Sequence, residues 1–182
     1  VAMQRMAREK VLQQRSGLPA SARGPGITVL DGSELNIAAD GTLDWDDDFL
    51  VDFDVLIASV HSDFNQTREQ MTRRLIAAIE HPYVNIIGHP TTRILGRRPP
   101  IDFDPEAVFA AAARTHTALE INAFPDRLDL DDELVRRARE HGVVFAIDTD
   151  SHAVPHLDYL RYGIAVAQRG WVSADEVINT WP

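Results

Sequence analysis

Cysteine is missing from this chain of 182 residues. Its absence excludes disulfides and thiolate metal sites and makes a reducing, cytoplasmic compartment the simplest setting. No apolar run reaches the roughly 20 residues that a membrane-spanning helix needs, so no membrane partner is expected. No secretory signal pattern opens the sequence. Basic charge is scarce, since 18 Lys and Arg against 28 Asp and Glu leave a formal net charge of −10. So acidic a chain repels nucleic acid unless metal ions or another domain reverse the local field. Glycine-rich phosphate-cradling fingerprints are lacking after every apolar run, which counts against a nucleotide-binding open sheet. Internal repeats and low-complexity segments are lacking too. The chain opens on Val1 rather than Met, and the expectation is that it was cut from a longer polypeptide.

What is present is a core of sufficient size, with apolar residues at 45%. Residues 2–16 read as a helix closed by Gly17, and residues 17–26 as a linker. Nearly continuous apolar runs then occur at 27–30, 54–60, 84–88, 117–121 and 143–147. Runs of this kind suit parallel strands buried on both faces. Helical segments alternate with them. Met71, Leu75 and Ile79 share one face of a helix over 67–80. Asp104 and Pro105 form an N-cap and first turn for a helix to Arg114. Further helices are expected over 131–141, stopped by Gly142, and over 156–169, stopped by Gly170. Ser173 and Glu176 form a capping-box pattern for a last helix to Thr180. Alternation along the whole length indicates an α/β fold, either an open sheet or a barrel, in a single domain.

The histidines sort by position. His61, His89 and His152 each follow a predicted strand directly, whereas His81, His116 and His141 each end a helix. In a parallel α/β fold these are opposite faces, and active sites occupy the face where strands end. Histidine at a helix C-terminus has a simpler explanation in the helix dipole. His156, just past the last strand, reads as a rim or helix-start residue. Carboxylates share the bias: Glu34 follows the first run, and Asp150 ends the last, two residues before His152. Two-residue periodicity points Asp148 with Asp150, and Glu120 with Asn122. Imidazole nitrogens and carboxylate oxygens converging from separate strands are what a metal site requires. Arg93, Arg97 and Arg98 follow the third run and Arg127 the fourth; Arg93, nearest His89, is the better phosphate candidate. The acidic run Asp44, Asp46, Asp47 and Asp48 lacks the glycine and terminal glutamate of an EF-hand loop and reads as a solvated turn and cap. Trp45, Trp171 and Trp181 are read as packing residues.

The stretches GSELNI (32–37), DGTLDWDDDFL (40–50), FDVLIASVHS (53–62), IIGHPTTRILGRR (86–98), ALEINAFPDRLDL (118–130) and TDSH (149–152) resemble the PHP (polymerase and histidinol phosphatase) domain. The likeness is strongest to the C-terminal PHP domain of bacterial X-family DNA polymerases and spans nearly all of 27–182. It implies a distorted seven-stranded β/α barrel holding up to three manganese or zinc ions. The implied activity is 3′–5′ exonuclease and DNA 3′-end processing, with the parent polymerase and DNA 3′ ends as partners. In that resemblance Glu34 bridges two metals, and His61 and His89 complete the ligand set of one of them. Asp150 binds the second metal, His152 the third, and Arg93 lies near the substrate phosphate. Glu34, Asp150 and Arg93 are the implied catalytic residues.

The sequence departs from the family in one large respect. The family's opening His-x-His strand with its nearby Asp, and the Thr-Asp-His motif ending its second strand, have no counterpart here. About five of seven strands are therefore expected, with the Glu34, His61 and His89 site intact and the other two depleted. Two rival readings remain: a free-standing phosphatase of small phosphate monoesters such as histidinol phosphate, and a non-catalytic remnant acting as scaffold. An incomplete barrel should expose two sheet edges, near 27–37 and 143–149, and should associate.

Overall fold

A computed structural model describes residues 30–181. The helix expected over 2–16, the linker over 17–26 and most of the first apolar run lie outside the described residues. Five strands form one sheet: β1 Gly32–Asn36, β2 Val55–Ser59, β3 Ile86–Ile87, β4 Ala118–Asn122 and β5 Phe145–Asp148. They lie in chain order, every neighbouring pair parallel, with Glu34 opposite Ile57 and Glu120 opposite Ala146. Consecutive parallel strands need crossover connections, and helices supply them: α1 Asp47–Leu50, α2 Arg68–Ile79, α3 Pro105–Thr115, α4 Asp132–Glu140 and α5 Leu160–Arg169. A parallel sheet that advances strand by strand, with helices alternating, is compatible with a β/α barrel.

Local chemistry sets the helix boundaries. Thr67 and Gln70 form a reciprocal capping box on α2. The Asp104 side chain accepts from Glu106 N at 3.1 Å ahead of Pro105 in α3, and Asp131 accepts from Leu134 N at 2.9 Å in α4. α3 ends where His116 turns left-handed at φ 59°, and α4 ends just ahead of Gly142 at φ 80°. The main core lies between these helices and one face of the sheet. Met71, Leu75 and Ile79 from α2 join Phe109, Val135 and Val166 against Leu119, Ile121 and Phe145. Fully burying each such side chain contributes about 1.5–3 kcal/mol. α5 comes close because it carries Gly163: a Cβ there would lie 2.7 Å from Ile147 Cγ2 and 2.9 Å from Ala123 Cβ.

Several expectations need correction. Glu34 sits in the middle of β1 rather than after a strand. β3 keeps only two residues of the run 84–88, because the chain turns sharply at Gly88–His89. The segment after Gly170 is two short 3₁₀ turns, Ala174–Glu176 and Ile178–Thr180, rather than one helix. The Ser173–Glu176 capping box is present on the first turn, but Val177 is extended and bridges in parallel to Phe145, while Ile147 N donates to Asn179 Oδ1 at 2.8 Å. The β5 edge expected to be open is therefore covered. Trp45 packs on Phe49, but Trp171 and Trp181 are 65% and 52% exposed, Trp171 lying under the Arg136 guanidinium. Among the described residues no helix is long and apolar enough to cross a membrane.

Candidate metal centre

The middle of β1 and the segments just past β2 and β3 bring three of the expected residues together. Glu34 Oε1 lies 3.2 Å from His61 Nε2 and 3.2 Å from His89 Nε2, and the two rings meet edge to face with centroids 5.3 Å apart. One ligand atom from each of the three residues lies within 4.8 Å of the others. Two imidazole nitrogens and a carboxylate oxygen at three separate strands are a donor set that zinc, manganese and similar ions accept. Such a cluster can hold a metal ion, and the electrostatics favour it. Hydrogen bonds from His61 and then His89 hold the Glu34 carboxyl far below the usual range, against the opposing effect of burial. Glu34 is thus an anion across all physiological pH.

Backbone geometry fixes His89. A Cβ on Gly88 would collide with Ser59 Oγ and lie 2.9 Å from Ile57 Cγ2, so only glycine lets β3 pass so close to β2 here. His89 itself is buried and left-handed at φ 28°, and its N–H donates to Glu120 Oε2. Its Nδ1 is buried without a hydrogen-bond partner among the described residues. Asp129, also buried, accepts from Thr91 N at 3.0 Å and pins the loop that follows. Burial pushes the Asp129 carboxyl up.

Asp150 and His152 stand at the same end of the sheet, after β5, but outside the three-residue cluster. Asp150 is left-handed at φ 47°, with its N–H donating to Asp148 Oδ1 at 3.0 Å. A buried polar chain joins the two halves. From the His89 N–H it runs to Glu120; Asn122 Nδ2 then donates to Glu120 Oε1 at 3.2 Å and to Asp150 Oδ2 at 3.4 Å. Burial first, then the Asp148 charge, pushes the Glu120 carboxyl well up. Burial pushes the neighbouring Asp148 carboxyl up as well. His152 is exposed, with Nδ1 2.8 Å from Asp150 O and its N–H donating to His156 Nδ1 at 3.2 Å.

The Arg93 guanidinium is committed to protein acceptors, at the edge of a cavity of about 460 Å³ that it lines with Arg97 and Arg98. It donates to Arg127 O at 2.9 Å, to Asp131 Oδ2 at 2.9 Å and to Leu128 O, tying the loop after β3 to the loop after β4. Arg127 is the arginine beside the candidate ligands: its Nε is 3.6 Å from Asp150 Oδ2, and its Nη1 is buried without a partner among the described residues. Between His89 and Arg93 the chain reverses at Thr92, at φ 55°. The histidines assigned to the other face fall there. His81 pairs with Asp47 at 3.2 Å, His141 with Glu106 at 2.6 Å, and His116 lines a cavity with Val55, Asn85 and Ala118 where strands begin. Sequence reasoning overlooked Arg74, a buried arginine in α2 that donates to Ser62 O at 3.1 Å in the loop carrying His61.

Comparison with known proteins bears on this arrangement. No family model matches the chain. Over 172 residues, 94% of its length, it is 41% identical to the DNA polymerase/3′-5′ exonuclease PolX of Bacillus subtilis (strain 168), of which it spans 30%. It is 32% identical over 165 residues to a probable phosphatase of Thermoanaerobacter sp. (strain X514), of which it spans 65%. It is 35% identical over 135 residues to a probable phosphatase of Caldicellulosiruptor bescii, of which it spans 54%. The chain thus covers less than two thirds of each of these relatives.

Proposed function

We propose that the chain, which is similar to a bacterial X-family DNA polymerase/3′-5′ exonuclease, is a PHP-type metal-dependent phosphoesterase domain that trims DNA from the 3′ end. The observation that carries this reading is the shared position of Glu34 Oε1, 3.2 Å from both His61 Nε2 and His89 Nε2. The fold, on this reading, is five strands of a distorted seven-stranded PHP barrel forming a single domain. It works in the cytoplasm beside a polymerase, with DNA 3′ ends as substrate. Manganese or zinc is the ion, up to three in the complete site.

A divalent ion held there supplies Lewis acidity for water activation and for the charge of the phosphoryl group. The chain's own residues do the rest. Glu34, kept anionic, offers a carboxylate oxygen from within β1, and His61 and His89, just past β2 and β3, would turn Nε2 lone pairs to an ion in place of the protons they now share with Glu34. Glu120 and Asn122 hold His89 and Asp150 in mutual register. Asp150 and His152 would each lend one ligand to a second and a third ion.

The test is hydrolysis of 5′-labelled single-stranded DNA beside p-nitrophenyl phosphate, with manganese and with chelator. Stepwise shortening that chelator stops, and that Glu34→Gln lowers by at least about a hundredfold, is expected. Turnover of the monoester alone would give the phosphatase reading preference, which the names of the shorter relatives favour. Turnover of neither substrate would leave a scaffold.

A further inference from the structure

A cavity of about 210 Å³ opens beside Asp150 and His152, walled by Ile94, Phe124, Arg97 and Arg127. Two arginines, Arg97 and Arg127, and two aspartates, Asp126 and Asp150, line it together with a half-buried aromatic ring and one aliphatic side chain. Arg127 stands at this wall with its Nε 3.6 Å from Asp150 Oδ2. Arg97 is held at the rim only by an exposed pair with Asp126, which contributes little and yields readily. Phe124 is braced on one side by His156 and Tyr159, at centroid distances of 5.1 and 5.4 Å. At this size the cavity is smaller than the roughly 300–1,000 Å³ of pockets that enclose drug-sized ligands. It admits one small group with an anionic end and a flat apolar face.

A second cavity of about 460 Å³ shares Ile94 and Arg97 with the first and continues past Arg98. The Arg98 guanidinium lies over Phe64, 4.1 Å from the ring centroid, and its Nε donates to Thr92 O at 2.8 Å. The two cavities meet at Ile94 and Arg97, and Arg93 and Arg98 line the larger one. A lone phosphate monoester has no use for the second. A strand of nucleic acid does, because each further residue repeats a phosphate and a base.

We propose that the smaller cavity is the subsite for the terminal nucleotide of a single strand, with Arg127 holding its phosphate and Phe124 carrying its base, and that the larger cavity takes the preceding residue. This rests on the phosphoesterase reading above and specifies its substrate contact. Guanidinium groups suit phosphate because their donors match its oxygens in pairs. Aromatic rings accept any base because every base has a π face, so the subsite is tolerant of sequence. Asp126 and Asp150 are the opposing charges at the wall, and the pairs with Arg97 and Arg127 offset them.

The experiment is calorimetric binding of thymidine 5′-monophosphate, thymidine and inorganic phosphate to the chain with manganese present. The monophosphate should bind at least about tenfold tighter than phosphate, and thymidine should bind weakly but measurably. Phe124→Leu should weaken the monophosphate about tenfold and leave phosphate unchanged, since leucine keeps the apolar volume and removes the flat face. Arg127→Met should weaken both anions and spare thymidine. Where that variant loses its fold by circular dichroism, Arg127→Lys reads the same contact with a few-fold loss. Equal affinities for monophosphate and phosphate, or a Phe124→Leu protein that binds the monophosphate as tightly as wild type, overturn the proposal. DNA shortening without these preferences would remove this inference and leave the exonuclease reading in place. Monophosphate binding without DNA shortening would do the reverse.

Discussion

At the scale of single residues, the site is built from side chains whose partners decide their charge. Two imidazoles that donate to Glu34 hold its carboxyl down; burial, then the charge of Asp148, pushes the Glu120 carboxyl well up. Glutamine is therefore a fair substitute for Glu120 and a poor one for Glu34. Glu120→Gln should lose less stability than Glu120→Ala, since its amide oxygen can still accept from His89 N while only the bond from Asn122 Nδ2 is given up. Glu120→Ala should cost about 1–3 kcal/mol, because it leaves buried donors unmet. Thermal denaturation of the two variants side by side checks this, and equal losses would show that the hydrogen bonds are not what matters. For Glu34 the measurement is metal linkage. An ion at a hundred times its dissociation constant stabilises the folded state by about 2.7 kcal/mol. Manganese should raise the melting temperature of wild type by several degrees and leave Glu34→Gln unmoved. The histidine sorting was legible in the sequence because it depends only on whether a residue follows a strand or ends a helix. Arg93 was not legible, since a left-handed turn at Thr92 redirects it toward Arg127 O and Asp131.

Elements add a second layer of control. α2 carries Arg74 on the same stripe as Met71, Leu75 and Ala78, and the side chain is fully buried. Its guanidinium donates to Ile37 O just after β1, to Ser62 O at 3.1 Å and to Gln66 Oε1 at 3.2 Å. A buried cation whose acceptors are carbonyls and an amide thus anchors the loop that presents His61. Arg74→Met should destabilise the chain by at least about 2 kcal/mol, because each hydrogen bond from a charged group is worth about 1.5–3 kcal/mol. It should also weaken manganese binding; urea unfolding and a metal titration read the two effects separately, and unchanged metal affinity would mean that the loop holds without it. The adjacent pair Arg73–Arg74 looks like a solvated helix face, yet spacing from Met71 places Arg74 inward, so this signal was in the sequence and was outweighed by charge. Between α3 and α4, Glu106 bridges Arg137 at 2.7 Å and His141 at 2.6 Å. Arg137 first and then His141 hold its carboxyl below the ordinary 4.5. A depressed acid stabilises above its unfolded value and ceases to as pH falls through the folded one. The small difference in melting temperature between wild type and Glu106→Gln at pH 7 should therefore fade only as the pH drops well below the ordinary 4.5. A difference that persists there would place the effect in packing rather than charge.

For the molecule as a whole, strand order and alternation were legible because near-continuous apolar runs separated by capped helices admit few other folds. The treatment of the sheet edge was not, because it rests on a pairing across more than thirty residues of chain between Phe145 and Val177. A capping-box pattern at Ser173 and Glu176 reads as a helix start whether one turn or three follow it. Here one turn follows, and the next residue extends along β5. Val177 is 5% exposed, and Asn179 Oδ1 accepts from Ile147 N at 2.8 Å. A strand edge with free N–H groups beside Phe145 and Ile147 is a template for another chain, and this short cover removes it. Replacing Val177 with Asp and Asn179 with Ala together should lift the cover. The loss of one hydrogen bond costs about 1 kcal/mol, and a charge set against β5 adds to it. Below its melting temperature the double variant should remain folded by circular dichroism yet associate as its concentration rises, measured by light scattering. Wild type under the same conditions should scatter less at every concentration. A double variant that scatters no more than wild type would mean that β5 is guarded by its own twist or by α5, and that the C-terminal turns serve only to pack.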